Sequence, residues 1–171
     1  MRIYEGSPRQ DYEEVLRSIG AFIDQRGLSE ILLAEAPDGF ILQGVVMTTQ
    51  DSAWAEPTAT VTKETYTFLD EDIARFLEDS TARRRPPGAN DGTPMAGKYE
   101  QTLRVLGRYV DDQKPKDVFF FEQGGAYVVR LLMTSRQGSR HVLAEFTEED
   151  LRSMIDQGVA FRGEEAGAAT V

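Results

Sequence analysis

The chain has 171 residues, a formal charge of −10, 40% apolar residues and 9% aromatic ones. That length suits one domain or two very small ones, and the apolar fraction supplies a core and excludes a disordered chain. With no Cys and a single His, His141, disulfides, thiolate nucleophiles and multi-histidine or Cys-based metal sites are excluded, and the acidic balance disfavours nucleic-acid phosphates and anionic membranes.

The start, Met1-Arg2-Ile3-Tyr4-Glu5, carries no apolar leader core, and no apolar run reaches membrane-spanning length. The expected compartment is the cytoplasm. The spacing of Tyr12, Val15, Leu16, Ile19, Phe22 and Ile23 predicts an amphipathic helix over 11–26. Glu13 and Arg17 stand i,i+4 in the favourable order. A hairpin follows, with strands 30–36 and 40–48 about Pro37-Asp38-Gly39, and a third strand is expected over 59–66. Phe68-Leu69-Asp70-Glu71-Asp72-Ile73 opens a second helix, for which Asp70 is the expected cap.

Residues 80–98 contain Arg83-Arg84-Arg85-Pro86-Pro87-Gly88 and further Gly and Pro, the composition of a flexible linker. Tyr99 then begins the pattern again. Tyr99, Leu103, Leu106, Tyr109 and Val110 predict a helix, and 117–122 and 126–135 predict a hairpin about Gly124-Gly125. A third strand over 140–145 leads to Phe146-Thr147-Glu148-Glu149-Asp150-Leu151, where Thr147 and Asp150 approximate a capping box. The tail, 159–171, is small and polar.

The two halves are related at a constant offset of 87. Over 12–35 against 99–122, Tyr12, Glu13, Leu16, Arg17, Gly20, Asp24 and Glu35 each meet an identical residue. An internal repeat fixes architecture ahead of chemistry. The expected fold is α+β: two tandem α-β-β-β-α repeats, 1–79 and 99–158, with antiparallel sheet, packed helices and a pseudo-twofold. Consecutive apolar residues in Val118-Phe119-Phe120-Phe121 and Val45-Val46-Met47 imply that both sheet faces are covered, by helices, by the other repeat or by a second chain.

Gly20 and Gly107, inside helices, predict close approach of another backbone. Asp70-Glu71-Asp72 and Glu148-Glu149-Asp150 lack the spacing of a calcium loop and suit helix N-termini. Glu35 and Glu122 recur at strand ends and are candidate paired carboxylates for acid–base work, although a wet hairpin rim is the plainer reading. Asp24 and Asp111, at helix ends, read as caps of their own helix exits. Trp54, the single Trp, is either an interface anchor or folded back on the core, the latter being the plainer reading. The corresponding loop of the second repeat is basic, with Arg136, Arg140 and His141. Divergent loops on a duplicated scaffold are where function is expected.

The element order and acidity resemble small bacterial secretion-chaperone-like proteins, whose units also place antiparallel strands between helices. The absence of catalytic motifs and the strands apolar on both faces lead to the expectation of a non-enzymatic protein-binding or scaffold role in the bacterial cytoplasm, with a protein partner or a second copy in a homodimer. The alternative is a small-molecule-binding or enzymatic domain with a pocket at the repeat junction beside Glu35 and Glu122. No cofactor, metal, membrane or nucleic-acid partner is expected.

Overall fold

The stripe of apolar residues at positions 12, 15, 16, 19 and 23 is buried along one side of α1, Tyr12–Arg26. The helix stops at Gly27, which takes φ 74°, while the Gly27 and Leu28 amides donate back to the Ile23 carbonyl. That left-handed ending favours glycine. In the computed structural model residues 12–82 and 97–157 are described; the tail 159–171 and most of the linker 80–98 lie outside them.

The elements run in order as β1 (Ser29–Ala36), β2 (Gly39–Ser52), β3 (Ala55–Leu69), α2 (Asp70–Ala82), α3 (Lys98–Gln113), β4 (Asp117–Gln123), β5 (Ala126–Ser135) and β6 (Gly138–Phe146). A fourth helix, α4, occupies 148–157. Within 80–98, residues 80–82 continue α2 and Lys98 opens α3. α3 ends at Lys114, whose φ of 52° and amide bond to the Val110 carbonyl close the last turn before Pro115. Gly124 and Gly125, at φ 58° and 83°, form the two-residue β4–β5 turn, a position that needs positive φ at both residues.

The strands form one open antiparallel sheet in the order β3-β2-β1-β4-β5-β6. Its centre is the β1–β4 pair, in which Leu33 stands opposite Phe120, flanked by Leu32 opposite Phe121 and Ala34 opposite Phe119. Strands β2 and β3 are longer than the apolar runs imply, reaching Ser52 and Ala55, because Thr-rich segments also suit strands.

Side-chain alternation sorts the sheet cleanly. Ile31, Leu33, Phe40, Leu42, Phe68, Val118, Phe120, Tyr127, Val129 and Leu131 are buried with the α1 and α3 stripes in one core. Ile73 and Leu77 of α2 and Leu151 of α4 join that same core. Phe22 of α1 stacks edge-on to Phe68, which in turn meets Phe76 of α2. Among the described residues the helices lie on one face only, and neither a helix nor the other half of the chain covers the second. The apolar runs are continuous because the second face is apolar as well, with Ile41, Met47, Val61, Phe121 and Leu143 exposed.

Helices α1 and α3 cross closely at their glycines. A Cβ at Gly20 would run into the Tyr99 carbonyl and the Glu100 Cα, and one at Gly107 would run into the Tyr12 carbonyl and the Glu13 Cα. The close backbone approach expected from the sequence is present at both positions.

Candidate functional site

Four features of the surface and interior carry chemistry. The first is a buried cluster around Glu122. This residue is 4% exposed and accepts hydrogen bonds from the hydroxyls of Tyr99, 2.9 Å, and Tyr127, 3.0 Å. Burial pushes both tyrosine hydroxyls well above their usual range, helped by the Glu122 carboxylate beside them. They stay protonated and remain donors. Glu35 accepts the Tyr12 hydroxyl at 2.7 Å. Burial raises the Glu35 carboxyl above its ordinary value, while the Tyr12 hydrogen bond opposes the rise.

The wet hairpin rim expected for these two carboxylates is thus corrected. Glu122 is buried and Glu35 is partly buried, because both fall on the helix-bearing side of their strands. Nor are they a pair. Glu35 lies two residues beyond Leu33 and Glu122 two residues beyond Phe120, in antiparallel strands. Four strand steps separate them, about 14 Å at 3.4 Å per residue. Proton sharing needs hydrogen-bond distance.

The second feature is the pair of aspartates. Asp24 accepts the backbone amides of Tyr99 and Glu100 at 3.0 and 2.9 Å. Asp111 accepts those of Tyr12 and Glu13 at 2.9 and 3.0 Å. The expected caps of their own helix exits are therefore caps of the other helix's N-terminus. The reason is the α1–α3 crossing, which brings each helix end to the other's start. Arg17 adds an ion pair across the same crossing, to Glu100 at 3.0 Å, beside its contact with Glu14 at 3.2 Å.

The third feature is the helix starts. The Thr147 hydroxyl accepts the Asp150 amide at 3.1 Å and Asp150 accepts the Thr147 amide at 2.9 Å, so the capping box read from sequence forms. At the start of α2 the cap differs from expectation: Asp72 accepts the Leu69 amide at 3.0 Å, and the Asp70 amide donates to the Asp38 carbonyl. Among the described residues no group of three or more His, Asp or Glu is placed to hold a metal.

The fourth feature is the second sheet face with its two hairpin ends. Across the sheet, Thr67, Ile41, Ala34, Phe119, Arg130 and Leu143 lie in one register row. Thr65, Gln43, Leu32, Phe121, Val128 and Glu145 form the next. The Arg130 guanidinium lies 5.0 Å over the Phe119 ring. Leu143 is 66% exposed. Trp54 stands in the two-residue β2–β3 turn at 96% exposure, so the expectation that it folds back on the core is overturned. It cannot fold back because β2 and β3 stay paired out to Ser52 and Ala55, well past the last β1 contact at Val45.

Arg136, Arg140 and His141 are exposed at the far end of β5 and β6. A hollow of about 540 Å³ lies there, lined by Met133, Ser135, Gln137 and Arg140 among others. Another, of about 350 Å³, lies between α3 and α4, where Tyr127, Leu151 and Arg152 are among the lining. Of the sequence candidates, the structure brings Arg136, Arg140 and His141 together at one hairpin end. It keeps Trp54, Glu35 and Glu122 apart from them. The tyrosine partners of the carboxylates were missed, although Tyr12 and Tyr99 are identical positions in the repeat and that recurrence was the signal.

No protein-family model, curated protein or solved structure matches the chain. No helix among the described residues is long and apolar enough to cross a membrane.

Proposed function

We propose that the chain is a fused duplication with a pseudo-twofold axis through the Leu33–Phe120 pair, and that it acts as a non-enzymatic, chaperone-like protein-binding scaffold of the cytoplasm. Support for the duplication is reciprocity. Exchanging residue i for i+87 turns the Leu32–Phe121 pair into the Phe119–Ala34 pair and leaves Leu33–Phe120 unchanged. The same exchange turns the Asp24 cap of α3 into the Asp111 cap of α1, the Tyr12–Glu35 bond into Tyr99–Glu122, and the Gly20 contact into that of Gly107.

The observation that carries the binding role is the helix-free sheet face. Its central rows hold Leu32, Ala34, Ile41, Phe119, Phe121 and Val128, interrupted by Gln43 and by Arg130 over the Phe119 ring, with Leu143 at one side and polar Thr65, Thr67 and Glu145 at the rim. The largest contiguous apolar patch on a monomer, roughly 300–600 Å², is often a functional surface, and a polar rim marks it as one. The recurrent carboxylates give acid–base chemistry little footing, since each is taken up by tyrosine hydroxyls inside the core.

Photocrosslinking tests the reading. A benzophenone side chain in place of Phe121 or Leu143 is expected to yield protein adducts in cell extract. The same group in place of Glu78, exposed on α2, serves as control. Equal labelling from Glu78, or no protein adduct from the sheet positions, overturns the proposal.

A further inference from the structure

The β2–β3 ribbon outgrows the sheet that carries it. β1 reaches β2 only as far as Val45, yet β2 and β3 remain paired through Val46–Thr62, Met47–Val61, Thr48–Thr60 and on to Ser52–Ala55. Seven residues past Val45 at 3.4 Å each make an arm of about 24 Å. Met47 is 66% exposed, Val61 62% and Trp54, in the terminal turn, 96%. A bare two-stranded ribbon is marginally stable in water. An arm that ends in an exposed Trp and flanks it with exposed Met and Val has the composition of a docking element, since Trp and Met are enriched at interface cores.

The other hairpin, β5–β6, is short and of opposite charge. By sequence the arm, 46–62, carries Asp51 and Glu56 with no Lys or Arg, whereas 133–141 carries Arg136, Arg140 and His141 with no Asp or Glu. The two ends cannot meet within one chain, because they belong to opposite edges of the sheet and their strands run in opposite directions from the central antiparallel pair. They therefore point away from each other at diagonally opposite corners. On the open face the β5–β6 end carries the paired Leu132 and His141, with Arg136 in the turn beyond them. An aliphatic side chain and an imidazole both suit an indole ring.

We propose that the sheet face is covered by a second copy of this chain, each copy laying its arm, Trp54 foremost, against the open-face side of the β5–β6 end of the other. The proposal rests on the reading of that face as a protein-binding surface. A twofold dimer with the two open faces together and their strands crossing brings both arm contacts together at once, and orthogonal sheet packing is one of the two stable ways for faces to meet. Area supports the arms' part in it. Six strands at 4.8 Å spacing over about five shared residues give roughly 400 Å² a side, against the ~800 Å² per partner of a standard stable interface. The two arms supply the remainder. Charge supports the pairing, because the acidic arm meets the basic hairpin on a chain whose overall charge otherwise resists self-association.

Sedimentation equilibrium of the full chain at micromolar concentration is the test, with the single Trp as an internal reporter. The expected mass is twice 19.1 kDa, and Trp54 emission shifts to shorter wavelength as concentration rises. Trp54→Ala weakens the dimer by about thirtyfold or more, as for a central anchor. Glu56→Arg and Arg136→Glu each weaken it by about tenfold, and the chain carrying both changes recovers most of the loss. Circular dichroism checks that each variant keeps its helices. A monomer at all concentrations, or a dimer unmoved by Trp54→Ala and by both reversals, overturns the proposal. A monomer whose Phe121 position still crosslinks a different protein overturns self-pairing alone and leaves the face as a binding surface.

Discussion

Asp24 caps the helix that Asp111 ends, and Asp111 caps the helix that Asp24 ends. Each carboxylate takes two backbone amides of the facing helix at 2.9–3.0 Å. An aspartate at its own helix C-terminus opposes the dipole, and here that cost is offset because the same carboxylate sits at a second helix's positive end. The two helices thus hold each other in register, while the β1–β4 pair joins the sheet halves.

Replacing Asp24 or Asp111 by Ala should lower stability by about 1–2 kcal/mol each, as for loss of an N-cap. The two losses should be similar in size. Denaturant unfolding followed by circular dichroism reads both, and a midpoint unchanged in either variant would refute the reciprocal capping.

Glycine at 20 and 107 gives a test of sign. An interior helix glycine replaced by Ala ordinarily gains about 1 kcal/mol of helix propensity. Here the new Cβ meets backbone atoms of the crossing helix, which cannot yield as a side-chain tip would. Gly20→Ala and Gly107→Ala should therefore destabilise, by ~1–3 kcal/mol net, as overpacked cores do. A rise in melting temperature for either would remove the close crossing from the account.

Much of this was legible in the sequence. The 87-residue register, the helix stripes, both hairpin turns and the Thr147 capping box all follow from local pattern, because periodicity and turn chemistry are local properties. The role of Asp24 was not legible, since its partner amides lie 75 and 76 residues away. Glu122 was misplaced at a wet rim for a related reason. Strand parity fixes which side it faces only once the β1–β4 register is known, and that register is non-local. Whether Trp54 anchors an interface or folds on the core is not legible either, since the ribbon's length past β1 depends on where β1 begins, at Ser29 next to an irregularity at Glu30 whose φ of 48° no motif announces.

The tyrosine–carboxylate cluster should be cooperative. Tyr127→Phe leaves Glu122 with Tyr99 alone, and a buried acceptor that loses a partner costs about 1–3 kcal/mol. Adding Tyr99→Phe should cost more than the sum of the single changes, since the second removal strips the remaining hydroxyl from a residue 4% exposed. A double-mutant cycle measures the coupling, and strict additivity would show that Glu122 finds another donor.

Glu35 makes stability depend on pH in a stated direction. Its folded-state pKa is raised above the ordinary 4.5, chiefly by burial. The folded state therefore holds the proton more tightly than the unfolded chain. The associated stability is fully present below the unfolded value and is lost as pH rises through the folded one. Glu35→Gln keeps an acceptor for the Tyr12 hydroxyl and removes the buried charge. It should raise the melting temperature at neutral pH, with the gain vanishing below pH 4.5. A gain that persists in acid would mean that burial of the charge is not its cause.

The last prediction separates the two sheet faces by adjacent residues. Phe120 is fully buried among the helix-facing core residues, whereas Phe121 is 38% exposed on the other side. Phe120→Asp buries an unpaired charge, which costs several kcal/mol and is expected to prevent cooperative unfolding. Phe121→Asp places the same charge where water can reach it, so the folded chain should tolerate it within about 1 kcal/mol. What Phe121→Asp should lose is association. Apolar rows on both copies would face a carboxylate with no partner, and the dimer should weaken far more than the fold. Paired measurements of unfolding midpoint and sedimentation mass read the two effects separately. Equal destabilisation by the two substitutions would mean that the second face is covered from within the chain, and the case for a partner on it would fall.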